Sequence, residues 1–280
     1  MQRRRAAPVL ALTFVVVSLL VVTLARGERS QHGTLILSLG GKLSPLALPR
    51  DHAAPVAVAL EGSLSTADGS PLPRVTRVEF GLPQQGVLST HGLPTCTRRK
   101  LVVTSNVDAL AVCRSALVGH GRVDLTVQVP HQEPFAVHTH LLAFNARVDG
   151  KRAVLLHAYT SHPPLAVVLP FTVGHESGRF ATTLAANLPV LGEWARVAEF
   201  KMVLSRRYIY RNRRFSYLSA SCPIPRRFTA GFFSFAQVAY WLGDGRQVST
   251  AIARSCRART RAKIHPRKAS METTEATTLE

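Results

Sequence analysis

The chain lacks the motifs that usually mark catalytic and cofactor sites. It contains no GxSxG segment, which argues against a serine-hydrolase site. Gly40, Gly41 and Lys42 lack the upstream glycine of a phosphate-binding loop. The four cysteines include no CxxC pair, so we expect neither a zinc cluster nor a thioredoxin-type redox site. The sequence therefore predicts no cofactor and no metal, and it identifies no catalytic residue.

Acidic side chains are scarce. Sixteen Asp and Glu residues stand against 35 Lys and Arg, which gives a formal net charge of +19 over 280 residues. This excess suggests an anionic partner such as nucleic acid, anionic lipid head groups or a phosphate-rich envelope polymer. The alternative is a GC-rich genome, which would enrich arginine on any protein surface. Because total charge bears only on solubility and nonspecific attraction, a local cluster is needed to indicate a site.

A long uncharged stretch lies near the N-terminus. Three arginines at positions 3–5 precede an uncharged run over residues 6–25. About 20 apolar residues can cross about 30 Å of hydrocarbon, so residues 1–30 are predicted to be a single-pass membrane anchor with the N-terminus inside. Small residues at and before Ala25 leave a cleavable signal sequence as the alternative. In either case we expect the main domain to be extracytoplasmic, anchored in the first case and secreted in the second.

An even set of cysteines in an exported chain predicts disulfide bonds. Short loops close at lower entropic cost, so proximity favours Cys96 with Cys113 and Cys222 with Cys256. The two other ways of pairing four cysteines remain open at this point.

Residues 31–258 are predicted to form an all-β region, an antiparallel β-sandwich, because strand-like runs alternate with frequent turn signals. One hairpin is predicted around the turn dipeptide Asp149-Gly150 and a second around residues 243–245. Their arms are residues 137–148 with 152–160, and 232–242 with 246–254. Other predicted strands are residues 34–39, 54–60, 75–82, 165–173, 179–184 and 197–204.

One short helix is predicted at residues 105–117. Ser105 or Asn106 can cap its first turn, apolar residues recur at helical spacing, and Gly119 is placed to end it.

A weak internal similarity connects residues 78–80 with residues 198–200. It suggests two sandwich-like halves, 34–130 and 131–258, with a single domain as the alternative. Residues 259–280 have no apolar periodicity and are predicted to be a disordered tail.

Arginine and aromatic residues alternate between residues 206 and 217. Guanidinium groups can pair with phosphates while aromatic rings stack on sugars or bases, as on many polyanion-binding surfaces. The alternative is an exposed turn whose tyrosines pack on the sheet. Nucleic acid is disfavoured as the partner because the predicted export separates the chain from it. The candidate polyanion-binding residues are Arg206, Arg207, Tyr208, Tyr210, Arg211, Arg213 and Arg214.

Three histidines are candidates for a metal site. His138 and His140 are two apart on a predicted strand, so they share a face, and His157 lies on the strand predicted to pair with it. No nearby carboxylate completes the set, which favours partly exposed histidines without a metal.

The sequence as a whole favours a non-catalytic, exported β protein that binds anionic envelope components. The first alternative is an enzyme acting on envelope glycans or peptides, and a glycosidase would place two carboxylates about 5–10 Å apart in a cleft. The second is a structural partner domain for a membrane protein, which a large exposed apolar patch would favour. The glutamates to survey are Glu61, Glu79, Glu133, Glu193 and Glu199.

Four short segments resemble those of an uncharacterised group of exported bacterial β proteins with paired cysteines. They are residues 92–96, 113–119, 142–145 and 216–223, and the likeness runs over most of residues 50–258. No activity is assigned to that group, so the resemblance implies export and disulfide bonds but no mechanism.

Overall fold

The computed structural model describes residues 28–102, 105–127, 131–161, 164–188 and 195–259. Residues 1–27 of the predicted anchor or signal segment and residues 260–280 of the predicted tail lie outside the described residues, and residues 28–30 belong to a strand. Within the described ranges, no helix is both long enough and apolar enough to cross a membrane.

The described ranges contain eighteen β-strands, and they include every strand that the sequence predicts. Residues 75–82 have the predicted bounds, whereas the predicted strand 54–60 is divided at Val56 between two strands of different sheets. The other predicted strands differ from the observed ones by up to five residues at an end. The strands are β1 (Glu28–His32), β2 (Leu35–Ser44), β3 (Ala47–Leu48), β4 (Ala54–Pro55), β5 (Ala57–Thr66), β6 (Val75–Leu82), β7 (Gly86–Leu88), β8 (Leu117–Val127), β9 (Phe135–Val148), β10 (Lys151–Ser161), β11 (Pro164–His175), β12 (Thr182–Asn187), β13 (Ala195–Leu204), β14 (Arg207–Tyr210), β15 (Arg213–Ser216), β16 (Leu218–Ala220), β17 (Ala230–Leu242) and β18 (Gln247–Ala258).

Thirteen strands form one continuous sheet. Its order is β1-β2-β5-β13-β8-β9-β10-β11-β12-β6-β17-β18-β3, and every pair is antiparallel except β18 with β3. The all-β, antiparallel prediction is therefore confirmed. The predicted sandwich differs from the structure, because a sandwich divides its strands between two sheets. A twisted sheet of more than about ten strands must curl or split, and this one curls.

The curvature brings the two ends of the sheet together. Arg254 Nε on β18 donates to the carbonyl oxygen of Gly41 on β2 over 2.7 Å. His32 Nε2 on β1 lies 3.1 Å from the carbonyl oxygen of Ser249 on β18. A Cβ at Gly41 would lie 2.5 Å from the Phe235 ring on β17, so glycine permits this close approach. The ends of the sheet thus meet through side-chain contacts.

Strands from the two predicted halves are interleaved in the sheet. β13 pairs with both β5 and β8, and β6 lies between β12 and β17. Residue 130 therefore does not separate one sheet from another.

Both predicted hairpins are confirmed, as β9–β10 and β17–β18. Asp149 and Gly150 have φ angles of 49° and 74°, which is the left-handed conformation that matches the twist of a two-residue hairpin. Gly245, in the second turn, has a φ of 85°. Local turn chemistry was sufficient to place these four strands.

The sheet has two different ends. At the first, which we call the cap end, β2, β6, β9, β11, β13 and β18 finish, and the long connections there carry the helices and two small sheets, β4-β16-β7 and β14-β15. At the second, the turn end, β1, β5, β8, β10, β12 and β17 finish. Because neighbouring strands are antiparallel, strands at alternate positions in the sheet finish at the same end.

The helix predicted at 105–117 is present but shorter. α1 (Arg98–Leu101) precedes it, and α2 (Asn106–Cys113) begins after Ser105, whose hydroxyl accepts a hydrogen bond from the Asp108 amide over 3.1 Å. A 3-10 turn, Arg114–Ala116, leads directly into β8. Gly119 lies inside β8 and does not end the helix. Its lack of a side chain allows β13 to approach closely, since a Cβ there would lie 2.5 Å from the Val203 carbonyl oxygen.

Both faces of the sheet bury apolar side chains. The main core fills the inner face, while α1 and α2 cover the outer face of β9, β10 and β11. This cover explains why β10 is apolar on both sides where a half-exposed strand would alternate. The buried outer residues are Cys96, Leu101, Ala109, Cys113, Ala116, Leu142, Phe144, Ala146, Ala153, Leu155 and Val168.

The proximal disulfide pairing is confirmed. Cys96 bonds to Cys113 and attaches α2 to the outer face of the sheet, where the Cys96 amide also donates to the Asn145 carbonyl oxygen over 2.8 Å. Cys222 bonds to Cys256 and attaches the cap-end connection to β18.

We expect loss of the Cys222–Cys256 bond to destabilise the protein substantially. For its sequence separation of 34, loop-closure entropy gives about 3–4 kcal/mol. The Cys222→Ser, Cys256→Ser double variant should show this decrease in the free energy of unfolding in urea without reductant. Reductant should destabilise the wild type further, because it also opens Cys96–Cys113. An unchanged urea midpoint and slope in the double variant would contradict the expectation.

Candidate functional site

The predicted polyanion-binding segment forms a hairpin at the cap end. β14 and β15 pair over four residues each, with Arg207 opposite Ser216 and Tyr210 opposite Arg213. Arg211 and Asn212 form the turn with φ angles of 48° and 58°. Alternation along the strands therefore gives this Arg hairpin, residues 206–216, two distinct faces.

Aromatic rings occupy the inward face of the Arg hairpin. Tyr208 stacks on Phe215 with ring centroids 5.7 Å apart, and Tyr210 meets the edge of His91 at 5.2 Å. The Tyr208 hydroxyl donates to the His91 carbonyl oxygen over 2.7 Å. Burial raises the pKa of Tyr208, and a hydrogen bond with Ser89 partly offsets this effect. The tyrosines thus attach the hairpin to the loop at residues 89–92.

Gly92 is essential to this packing. Its φ is +69°, and a Cβ there would lie 2.2 Å from Cγ of Tyr210. The Tyr210 ring therefore lies directly on the Gly92 backbone, while the Arg211 guanidinium carbon lies 5.3 Å from the centroid of the same ring.

The opposite face of the Arg hairpin is cationic and solvent-exposed. Arg207 and Arg214 project from this face, Arg211 lies in the turn, and Arg213 lies opposite Tyr210, on the aromatic side. All four are exposed, and none has a carboxylate within 4.0 Å in the described part of the chain. Ile209 is 72% exposed and lies opposite Arg214. Arg206 differs because its Nε is buried and unbonded.

The surrounding sequence reinforces this charge. Residues 205–229 contain seven arginines and no acidic residue. The Cys222–Cys256 bond fixes this connection to β18, and the Tyr217 amide donates to the Arg206 carbonyl oxygen over 2.8 Å. The arginine cluster thus rests on a structured connection.

The histidines share the outer face of β9 and β10 as predicted, but their partners differ. His138 Nδ1 lies 2.8 Å from an Asp124 carboxylate oxygen, whereas His157 is fully buried with Nδ1 3.0 Å from Asn106 Oδ1. His140 is exposed. Among the described residues, no group of three His, Cys, Asp or Glu side chains is arranged to hold a metal.

The surveyed glutamates are divided between surface ion pairs and loops. Glu61 and Glu199 both lie near Lys201 Nζ, at 3.9 Å and 2.8 Å. Glu79 pairs with Arg77 on β6 at 2.7 Å. Glu133 is exposed in the loop before β9, and Glu193 lies outside the described residues.

The curled sheet encloses an apolar cavity of about 180 Å³. The sequence does not predict this cavity, because the inward positions of a strand are apolar whether they contact other side chains or line a cavity. The aromatic contacts from Phe80 to Phe171, at 5.9 Å, and to Phe200, at 5.3 Å, join three strands across the interior. A second depression lies on the outer face near His138 and Tyr159. Neither its lining nor that of the cavity includes a carboxylate.

A cavity of this size is costly unless another group fills it. At about 24 cal/mol per Å³, 180 Å³ of unfilled apolar space lowers stability by roughly 4 kcal/mol. That is a large fraction of the typical 5–15 kcal/mol of a folded domain, so filling the cavity with an apolar group would stabilise the protein.

Tyr240 is the titratable side chain among the residues that line the cavity. Its hydroxyl has no hydrogen-bond partner in the described protein, and burial raises the pKa of Tyr240 well above its usual value. A raised phenol pKa means that folding favours the neutral form. Its contribution to stability is therefore complete below about pH 10 and is lost as the pH rises above that value.

We expect Tyr240→Phe to reduce the alkaline loss of stability. At about pH 11, ionisation of the unfolded tyrosine costs the wild type roughly 1.4 kcal/mol that the variant does not lose. Urea unfolding at neutral pH and at about pH 11 measures the difference, and Tyr159→Phe serves as the matched control. Equal alkaline losses in wild type and Tyr240→Phe would show that this phenol does not couple to folding.

Two segments of the resemblance lie against each other in the structure. The side-chain amide nitrogen of buried Asn145, Nδ2, donates to the carbonyl oxygens of Leu93 and Pro94 over 3.3 Å and 2.9 Å. Residues 92–96 and 142–145 therefore hold the loop beneath the Arg hairpin, which is a structural role.

Comparison with known proteins adds no identification. No family model, no curated protein and no solved structure matches this chain.

Proposed function

We propose that the protein is a non-catalytic, extracytoplasmic binding protein whose Arg hairpin binds phosphate groups of anionic envelope components. The observation that carries the proposal is a hairpin packed on one face that presents Arg207 and Arg214 on the other and Arg211 at its turn, all exposed and without a carboxylate partner among the described residues. Guanidinium groups bind phosphate oxygens through paired hydrogen bonds. A firmly packed hairpin also reduces the entropy lost on binding.

The positions of the tyrosines refine the ligand class. Tyr208 and Tyr210 face the loop at residues 89–92, so we assign them a supporting role and not ring stacking on a sugar. Exposed Ile209 lies between arginines on the outward face, which suits a lipid surface with phosphates above an apolar layer. Anionic lipid head groups are therefore our first choice, and a soluble phosphate polymer is the second source of the same chemistry.

Binding is favoured over catalysis by the environment of the carboxylates. The surveyed glutamates that the structure describes lie in surface ion pairs or an exposed loop, and the residues lining the cavity and the outer depression include no carboxylate. Disulfide bonds support an oxidising, extracytoplasmic location. The anchor or signal at residues 1–30 belongs to the same proposal.

The test compares two variants with equal loss of charge. We expect Arg207→Ser, Arg211→Ser, Arg214→Ser to weaken binding at least about tenfold, given about 1 kcal/mol per arginine at an anionic surface. The control is Arg29→Ser, Arg74→Ser, Arg122→Ser, three exposed arginines outside the hairpin, and it should bind like the wild type. The full chain is held in phosphatidylcholine nanodiscs, and capture of phosphatidylglycerol vesicles is measured across a sodium chloride series.

Salt and a second probe identify the source of the phosphate. Capture should decrease as salt rises, because screening weakens exposed charge pairs. Ile209→Ser should reduce capture of vesicles but leave the binding of soluble polyphosphate unchanged if the ligand is lipid. Equal losses in the hairpin and control variants, or capture that is insensitive to salt, would refute the proposal.

A further inference from the structure

The interior of the sheet has the properties of a ligand site that is separate from the Arg hairpin. Its lining is almost wholly aliphatic and aromatic. The polar side chains are Ser63, whose hydroxyl is hydrogen-bonded to that of Ser38 over 2.6 Å, and Tyr240, which supplies one hydroxyl. An apolar cavity offers water no hydrogen bonds, so it stays dry or takes an apolar ligand. At about 180 Å³, it exceeds the roughly 150 Å³ of an engineered cavity that binds benzene.

The cavity is long. Residues that line it include both Val75 and Leu82, at opposite ends of β6. Seven steps along a strand cover about 23 Å at about 3.3 Å per residue. Across this length, the contact between Phe80 and Phe200 narrows the interior. A long and narrow apolar space fits an extended hydrocarbon chain better than a compact ring system.

Exposure of the lining changes along the strands. On β10, Val154 is buried while Ala158 is half-buried, and on β11, Phe171 is buried while Val167 is half-buried. Leu125 on β8 is likewise more exposed than Val123. On these three strands the lining residues are therefore more exposed toward the turn end than near the cap end.

We propose that this cavity binds one linear alkyl chain, the acyl chain of an amphiphile, with its apolar tip toward the cap end and its polar group at the turn end. The apolar lining disfavours a charged occupant, since none of the lining residues carries a charge at neutral pH. The gradient of exposure sets the direction. This site is independent of the phosphate binding proposed for the Arg hairpin, which lies at the cap end.

The test uses a fatty acid that carries a diazirine in the middle of its chain. The full chain, in phosphatidylcholine nanodiscs, is irradiated with this probe and digested with trypsin. The expected label is on the peptide of residues 153–179, which carries lining residues of β10 and β11. Unlabelled hexadecanoic acid should compete for this site. Labelling of the apolar run at residues 6–25 reports how much probe is present in each sample.

Three substitutions of Ala by Phe distinguish the cavity from the surface. Ala158→Phe and Ala198→Phe fill the cavity, and each should lower labelling of the 153–179 peptide at least about fivefold. Ala251→Phe makes the same change at an exposed position on β18 and should label like the wild type. Thermal unfolding identifies which variants are folded, and the two cavity variants, on different strands, provide independent tests.

The outcomes separate the two proposals. Labelling that is competed by hexadecanoic acid and lost in a folded cavity variant supports the acyl-chain site. Absence of label on residues 153–179, or undiminished label in folded cavity variants, overturns it. The triple arginine variant of the hairpin should label normally, so a failure of phosphate binding would leave this result unaffected.

Discussion

The structure depends on the curvature of one long antiparallel sheet. Thirteen strands with an apolar inner face cannot remain flat in water, and twist bends them until β18 meets β2 and β1. This closure buries the main core. It also creates the cavity, because the perimeter of a sheet with so many strands encloses more space than its side chains fill.

The two ends of the curled sheet differ in chemistry for reasons of connectivity. Long connections lie at the cap end, where both disulfides and the small sheets hold them in place. Rigid loops can present exposed arginines at low entropic cost, which is the basis of the Arg hairpin. At the turn end the inner face becomes accessible, so a charged surface and an apolar interior are available without competing for the same residues.

Local signals predicted individual elements well. Asp149-Gly150 specified a hairpin through its left-handed turn, Ser105 capped α2, and sequence proximity was sufficient to pair the cysteines. Signals with two physical explanations were less reliable. Gly119 was predicted to end a helix but serves the close approach of β13. The tyrosines of the Arg hairpin pack beneath it, which is closer to the alternative of an exposed turn with packed tyrosines than to rings that stack on a ligand.

The sequence by itself determined the β class, the turns, the two disulfides and the segment in which arginines cluster, because each depends on residues close together in the chain. Tertiary structure alone decided that the strands share one curled sheet and that their side chains leave a cavity inside it, because both depend on how distant strands pair. It also decided which side of residues 206–216 faces solvent. That orientation follows from packing against residues 89–92, more than a hundred positions earlier, and no local pattern records it.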